Sequence, residues 1–190
     1  MAKEIIYVGD PMCSWCWGFS PVLKQIQQDY SKDAPLRLIV GGLHAFDTDP
    51  MNDQYKATIK HHWEQVAEAS GQPFNYAFFE REGFVLDTEP ACRATVVVRN
   101  MNPDVLLPFY ERIHMGYYVE DTDTTKLETF VDYAEKEGLD GSVFAATFEA
   151  EDTKQETMDD FAWCQKTGVT GFPTVVLRED TTMAALTVGY

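Results

Sequence analysis

Cys13-Ser14-Trp15-Cys16 falls where an apolar run, Ile5-Ile6-Tyr7-Val8, gives way to a helical pattern that begins at Ser14. A C-x-x-C pair at a strand-to-helix junction is a redox signature with a physical cause. The free N–H groups and positive end of the helix favour a thiolate on Cys13. Cys16, in the first turn, is near enough to attack a mixed disulfide formed on Cys13, so the pair can shuttle between dithiol and disulfide without a cofactor. Two other readings stay open on spacing alone: half of a zinc site, or two ordinary buried thiols. Zinc usually needs a second C-x-x-C or a Cys/His pair at ligand spacing. Cys92 and Cys164 are solitary, and His61-His62 are adjacent, which on a helix turns them in different directions. The spacing therefore favours redox chemistry and no metal site.

The pattern on either side of the pair is strand–helix–strand, the start of a βαβ unit. Residues 4–8 read as a strand, Ser14 to about Tyr30 as a helix with Pro21 early in it, and Leu36–Val40 as a second strand stopped by Gly41-Gly42. The middle of the chain then turns helical: Asp53 to Ser70, Glu89 to Met101, Pro103 to Tyr118, Thr124 to Lys136, and shorter helices near 140–150 and 153–167. Tyr55, Ile59, Trp63 and Val66 recur at helical spacing, as do Leu127, Phe130, Val131 and Ala134. Strand signals return at Pro173–Leu177 and Met183–Val188. The expected fold class is α/β: a small central mixed sheet split by a large all-helical insertion after its second strand. The expected division is residues 1–48 and 168–190 for the sheet-bearing unit and 49–167 for the insertion, whose last helix leads back to the sheet.

Charge removes whole classes of function. With 31 acidic against 15 basic residues, the formal net charge is −16. A nucleic-acid binder needs a basic footprint to displace counterions, and an anionic membrane surface repels such a chain. No apolar run approaches the length of a transmembrane helix. Met1-Ala2-Lys3-Glu4 leads straight into the first strand, which points to a cytoplasmic protein, where thiols are normally kept reduced. Four cysteines in such a setting suit catalysis better than a disulfide scaffold. Lone Cys92 and Cys164 read as small buried apolar residues rather than extra redox thiols, and His44, His61, His62 and His114 as surface or supporting groups.

The assembled motifs resemble the DsbA-like branch of the thioredoxin superfamily, and within it the FrnE-type group of protein-disulfide isomerases. The resemblance rests on Asp10-Pro11-Met12-Cys13-Ser14-Trp15-Cys16-Trp17-Gly18-Phe19, Gly41-Gly42-Leu43, Thr88-Glu89-Pro90-Ala91-Cys92-Arg93-Ala94 and Gly168-Val169-Thr170-Gly171-Phe172-Pro173-Thr174. It implies a thioredoxin-like fold, with Cys13 as the exposed nucleophile and Cys16 as the buried resolving thiol. Pro173 becomes a cis-proline facing the pair, leaving the Phe172 backbone free to pair with an extended substrate segment; a strand-start proline is the plainer alternative. Trp15 and Trp17, with Phe19, would offer an apolar docking surface, the alternative being core packing. Two departures stand out. Many relatives carry a carboxylate six residues before the first cysteine, where this chain has Tyr7; Asp10, nearer in sequence but in the loop, is one alternative base, and water is the other route for the Cys16 proton. The sequence also stops at Gly189-Tyr190, where relatives continue into a helix over one sheet face; a truncated chain, or a second copy in a homodimer, would account for that.

The implied activity is thiol-disulfide exchange or disulfide isomerisation. The partner would be a thiol- or disulfide-containing polypeptide, with no cofactor and glutathione as an optional co-substrate. Kappa-type glutathione transferases and chromene-carboxylate isomerases share the fold but typically place Ser where this chain has Cys13. A non-catalytic peptide-binding or chaperone module is a further alternative, and it predicts that Cys13→Ser leaves activity intact.

Overall fold

The computed structural model describes residues 3–189. Met1, Ala2 and Tyr190, on which the expectations about the two ends rest, lie outside the described residues. The chain runs β1 (Lys3–Gly9), α1 (Ser14–Tyr30), β2 (Leu36–Val40), α2 (Asp53–Ser70), α3 (Glu89–Met101), α4 (Leu106–Tyr118), α5 (Leu127–Lys136), α6 (Gly141–Glu149), α7 (Glu151–Thr167), β3 (Thr174–Glu179) and β4 (Thr182–Val188). The expected α/β architecture is thus the observed one, a four-stranded mixed sheet with a helical insertion after its second strand. Strand order is β2-β1-β3-β4. β1 lies parallel to β2, with Ile5 opposite Leu36, and antiparallel to β3, with Tyr7 opposite Val175.

β1 is apolar on both faces because helices cover both. Alternation sends Ile5 and Tyr7 one way and Ile6 and Val8 the other. The first pair joins the large core shared with α1, α3 and α4, while the second packs with Ile39, Val176 and Cys164 beneath α7. The sheet's outer strand is less protected, and Leu186 on β4 is 59% exposed.

The insertion is anchored by aromatic packing and one ionic knot. Trp63 on α2 stands among Phe74, Phe78, Tyr117 and Tyr118, with ring centroids 5.0–5.8 Å away. Asn52 caps α2 by accepting the Tyr55 N–H at 2.8 Å, and Gly71 (φ 74°) ends it in the left-handed region. Arg99 on α3 donates to the Leu38 carbonyl of β2 at 3.0 Å and to Asp160 of α7 at 2.6 Å. Asp160 in turn accepts the Val40 N–H at 3.0 Å, so three elements meet at one carboxylate.

Two helices begin later than their patterns suggest. Pro103–Val105 forms a separate 3₁₀ turn before α4. The expected start at Thr124 moves to Leu127, because the Asp123 side chain accepts both the Thr125 N–H (3.0 Å) and its hydroxyl (2.6 Å), closing a local turn. Among the described residues, no helix is long and apolar enough to cross a membrane.

Candidate active site

Cys13 is the last extended residue before α1 (φ −92°, ψ 119°). Its N–H donates to the Asp10 carbonyl at 3.0 Å, and its carbonyl accepts the Trp17 N–H at 3.1 Å. Its thiol points across to the loop before β3 and donates to the Phe172 carbonyl at 3.7 Å, where the Phe172–Pro173 peptide is cis. Cys16 lies one turn deeper and is fully buried, its sulfur accepting the Asp10 N–H at 3.5 Å. The resemblance implied an exposed Cys13, but the residue is only 5% accessible. Trp15 and Phe172 border the cavity that Cys13 lines, so its thiol meets solvent through that cavity rather than on an open surface.

This cavity has a volume of about 320 Å³ and is lined by Cys13, Ser14, Trp15 and Phe172, by Leu43 and His44, and by α2 and α4 through Tyr55, Ile59, His62, Trp63, Tyr117 and Tyr118. None of its lining residues is a lysine, arginine or carboxylate. The Phe172 ring closes against Gly41 so tightly that a Cβ there would lie 2.1 Å from it, so any side chain at that position would have to displace the ring. Trp15 and Phe172 line the cavity, and Pro173 is buried. Trp17 does not: it is 2% exposed, stacked on Tyr118, and donates its indole N–H to the Pro73 carbonyl at 3.0 Å. Phe19 likewise packs on Tyr7 in the core. Trp15 and Trp17 are two residues apart on a helix and face opposite sides, so one faces the cavity and the other the core.

Asp10 is completely buried and clamps the site together. One carboxylate oxygen accepts the Met12 N–H at 2.8 Å and the other the Leu43 N–H at 2.7 Å, tying the β1–α1 loop to the loop after β2. Burial pushes its carboxyl upward, against the pull of these donors. The same carboxylate faces the Cys92 thiol at 3.5 Å. Burial first, then the adjacent Asp10 charge, holds Cys92 well above the ordinary thiol range, and burial pushes Cys164 up to about 12. Both behave as the small buried residues the sequence suggested, although the Asp10 contact, spanning 82 positions, had no sequence signal. Of the two places expected for His114, the surface is excluded: it is fully buried beside Tyr110 (4.6 Å between ring centroids) and Trp17 (5.8 Å). A signal existed, since Tyr110, Ile113, His114, Tyr117 and Tyr118 form one helical stripe.

Burial, with Cys13 alongside, drives the Cys16 thiol well above its ordinary range. The site therefore pairs one thiol that reaches the cavity with a second that reaches only the first. The four cysteines are all thiols in this structure. Among the described residues no cluster of histidine, cysteine or carboxylate side chains is arranged to hold a metal ion.

Comparison with known proteins matches residues 4–188 to the DSBA-like thioredoxin domain. A solved candidate protein disulfide isomerase from Nitrosomonas europaea is 36% identical and superposes with a TM-score of 0.94, covering 100% of this chain and 91% of that one. The cytosolic disulfide reductase DsbM from Pseudomonas aeruginosa is 25% identical with a TM-score of 0.83, over 97% of this chain and 89% of that one, and has also been solved with GSH. The ClpXP adapter protein SpxH of Halalkalibacterium halodurans is 24% identical over 183 residues, 93% of this chain; the chain spans 59% of that relative's length.

Proposed function

The chain belongs to the DSBA-like thioredoxin domain family, and on that premise we propose that it exchanges thiols and disulfides through Cys13 and Cys16. The carrying observation is the asymmetry of the pair: Cys13 lines the cavity beside the Phe172 carbonyl, whereas Cys16 is sealed beneath it. In the reductive direction the Cys13 thiolate attacks a substrate disulfide, forming a mixed disulfide and releasing one substrate thiol. Cys16 then attacks the Cys13 sulfur, releases the second substrate thiol and leaves the Cys13–Cys16 disulfide. The reverse sequence oxidises a substrate dithiol, and a mixed disulfide that escapes to another substrate thiol gives isomerisation.

The substrate is a polypeptide or low-molecular-weight thiol such as glutathione. The backbone at Phe172 supports an extended peptide laid beside the thiol, and the solved DsbM with GSH supports a small thiol. The cytosolic description of DsbM supports a cytoplasmic setting. We take residues 1–48 and 168–190 as the catalytic unit and 49–167 as the insertion that roofs the cavity through α2 and α4. The test is a Cys16→Ser variant incubated with a disulfide-bonded peptide or oxidised glutathione. The proposal expects a stable adduct on Cys13, mapped by peptide mass. No adduct, or adducts only on Cys92 and Cys164, contradicts it.

A further inference from the structure

We propose that the Tyr7 hydroxyl is the hydrogen-bond donor that holds Cys16 as a thiolate while it attacks the mixed disulfide on Cys13. The inference rests on the exchange reading above and concerns its second step.

Cys16 must give up its proton in a place that opposes the charge. It has no exposure, and burial with Cys13 beside it keeps the thiol protonated. The fold supplies one backbone donor, the Asp10 N–H at 3.5 Å. The other titratable groups facing Cys16 are Cys13 on its own helix, Tyr7 on β1, and Tyr110 and Tyr118 on α4. His114 of α4 faces the Asp10 carbonyl instead. The Asp10 carboxylate is occupied by Met12, Leu43 and Cys92, and a carboxylate cannot donate in any case.

All three phenols carry a buried hydroxyl without a well-aligned partner, and Tyr7 is the one placed to hydrogen-bond the Cys16 sulfur. It is fully buried, its hydroxyl lies against the Cys16 thiol and Tyr110, and no protein atom gives that hydroxyl a well-aligned hydrogen bond. The ring cannot swing to another partner. It stacks on Phe19 at 6.2 Å and meets Tyr110 edge-on at 6.1 Å. Behind it, a Cβ on Gly9 would lie 2.7 Å from both the Tyr7 ring and the Tyr110 hydroxyl. A buried hydroxyl without a partner costs stability. A thiol is a weak acceptor and a thiolate a strong one, so the contact between the hydroxyl and the Cys16 sulfur strengthens when Cys16 ionises. The arrangement is complementary to the reacting state rather than to the resting dithiol.

In the step itself, the Cys16 sulfur bonds to the Cys13 sulfur and the bond from Cys13 to the substrate sulfur breaks. The electron pair leaves with the substrate sulfur, which takes up the proton released by Cys16. Tyr7 keeps its own proton. Over both steps the cysteine pair is oxidised by two electrons and the substrate disulfide is reduced.

The test uses 5,5′-dithiobis(2-nitrobenzoate), whose reaction with the pair releases one coloured thiolate when Cys13 attacks and a second when Cys16 resolves the adduct. Tyr7→Phe keeps the ring and removes the donor. The second phase is expected to slow about 10- to 100-fold at neutral pH, the loss of one hydrogen bond to a charged group, and its pH profile to move upward. The first phase should stay within about twofold. Tyr110→Phe, which leaves Tyr7 in place, should slow the second phase less. Equal slowing of both phases, or an unchanged second phase in Tyr7→Phe, overturns the proposal, as does a larger effect from Tyr110→Phe. A native protein with no second phase, indistinguishable from Cys16→Ser, would instead defeat the exchange reading on which the proposal stands.

Discussion

Replacing His114 by leucine should make the protein more tolerant of mild acid. The imidazole is fully buried between the Asp10 carbonyl, Tyr110, Trp17 and Tyr118, and burial lowers its pKa from 6.5 to about 3. The unfolded chain takes up a proton below pH 6.5, whereas the folded chain resists it until about pH 3. Stability from this group is therefore fully present above pH 6.5 and is lost as pH falls toward 3. At about 1.36 kcal/mol per unit, the loss approaches about 5 kcal/mol across the whole window and is about 2.5 kcal/mol between pH 7 and 4.5. The chain's many carboxylates also titrate in acid, so the informative quantity is a difference. Urea unfolding at pH 7 and pH 4.5 should show the native protein losing about 2.5 kcal/mol more than His114→Leu, whatever the variant costs at pH 7. Parallel losses in the two proteins would refute the argument that the buried ring remains neutral.

Arg99→Ala should cost about 3 kcal/mol or more, read by urea unfolding at pH 7, because it leaves the Asp160 carboxylate buried without its cation; an effect under about 1 kcal/mol would mean the pair behaves like a surface bridge. Gly41→Ala should leave the protein folded but push the Phe172 ring into the cavity beside Cys13, since its Cβ would otherwise sit 2.1 Å from that ring. Overpacking of this kind costs about 1–3 kcal/mol, and exchange with a peptide disulfide should slow about tenfold, mainly through KM; unchanged kinetics would show that the ring does not shape the substrate's seat.

What the sequence revealed and what it hid divide along physical lines. The boundaries of α1, β2, α2 and α3 were legible because local signals agree: an apolar run ends at the cysteine pair, Gly41-Gly42 stops a strand, and Trp63 and Val66 mark one helix face. The reactive pair was legible because its spacing has a local chemical meaning. The surroundings of that pair were not, because they are made by contacts between distant segments. In the sequence Asp10 is a loop acid near the pair, and its contacts with Leu43 and Cys92 come from segments far along the chain. Helical periodicity says that Trp15 and Trp17 cannot both face the cavity, but which one does depends on where α2 and α4 pack. Tyr7 looked like a missing carboxylate, and only the packing of α4 shows it as an unpartnered hydroxyl against Cys16.

Equilibration of the protein with defined ratios of reduced and oxidised glutathione asks whether Cys13 and Cys16 form a reversible redox pair. Tryptophan fluorescence, with Trp15 and Trp17 flanking Cys16, follows the change, and alkylation of the quenched samples counts thiols. One reversible two-electron transition is expected, shifting tenfold in its equilibrium for about every 30 mV, consuming two thiols and vanishing in Cys13→Ser. A protein whose fluorescence and thiol count stay constant across the series, or whose transition survives Cys13→Ser, would contradict it.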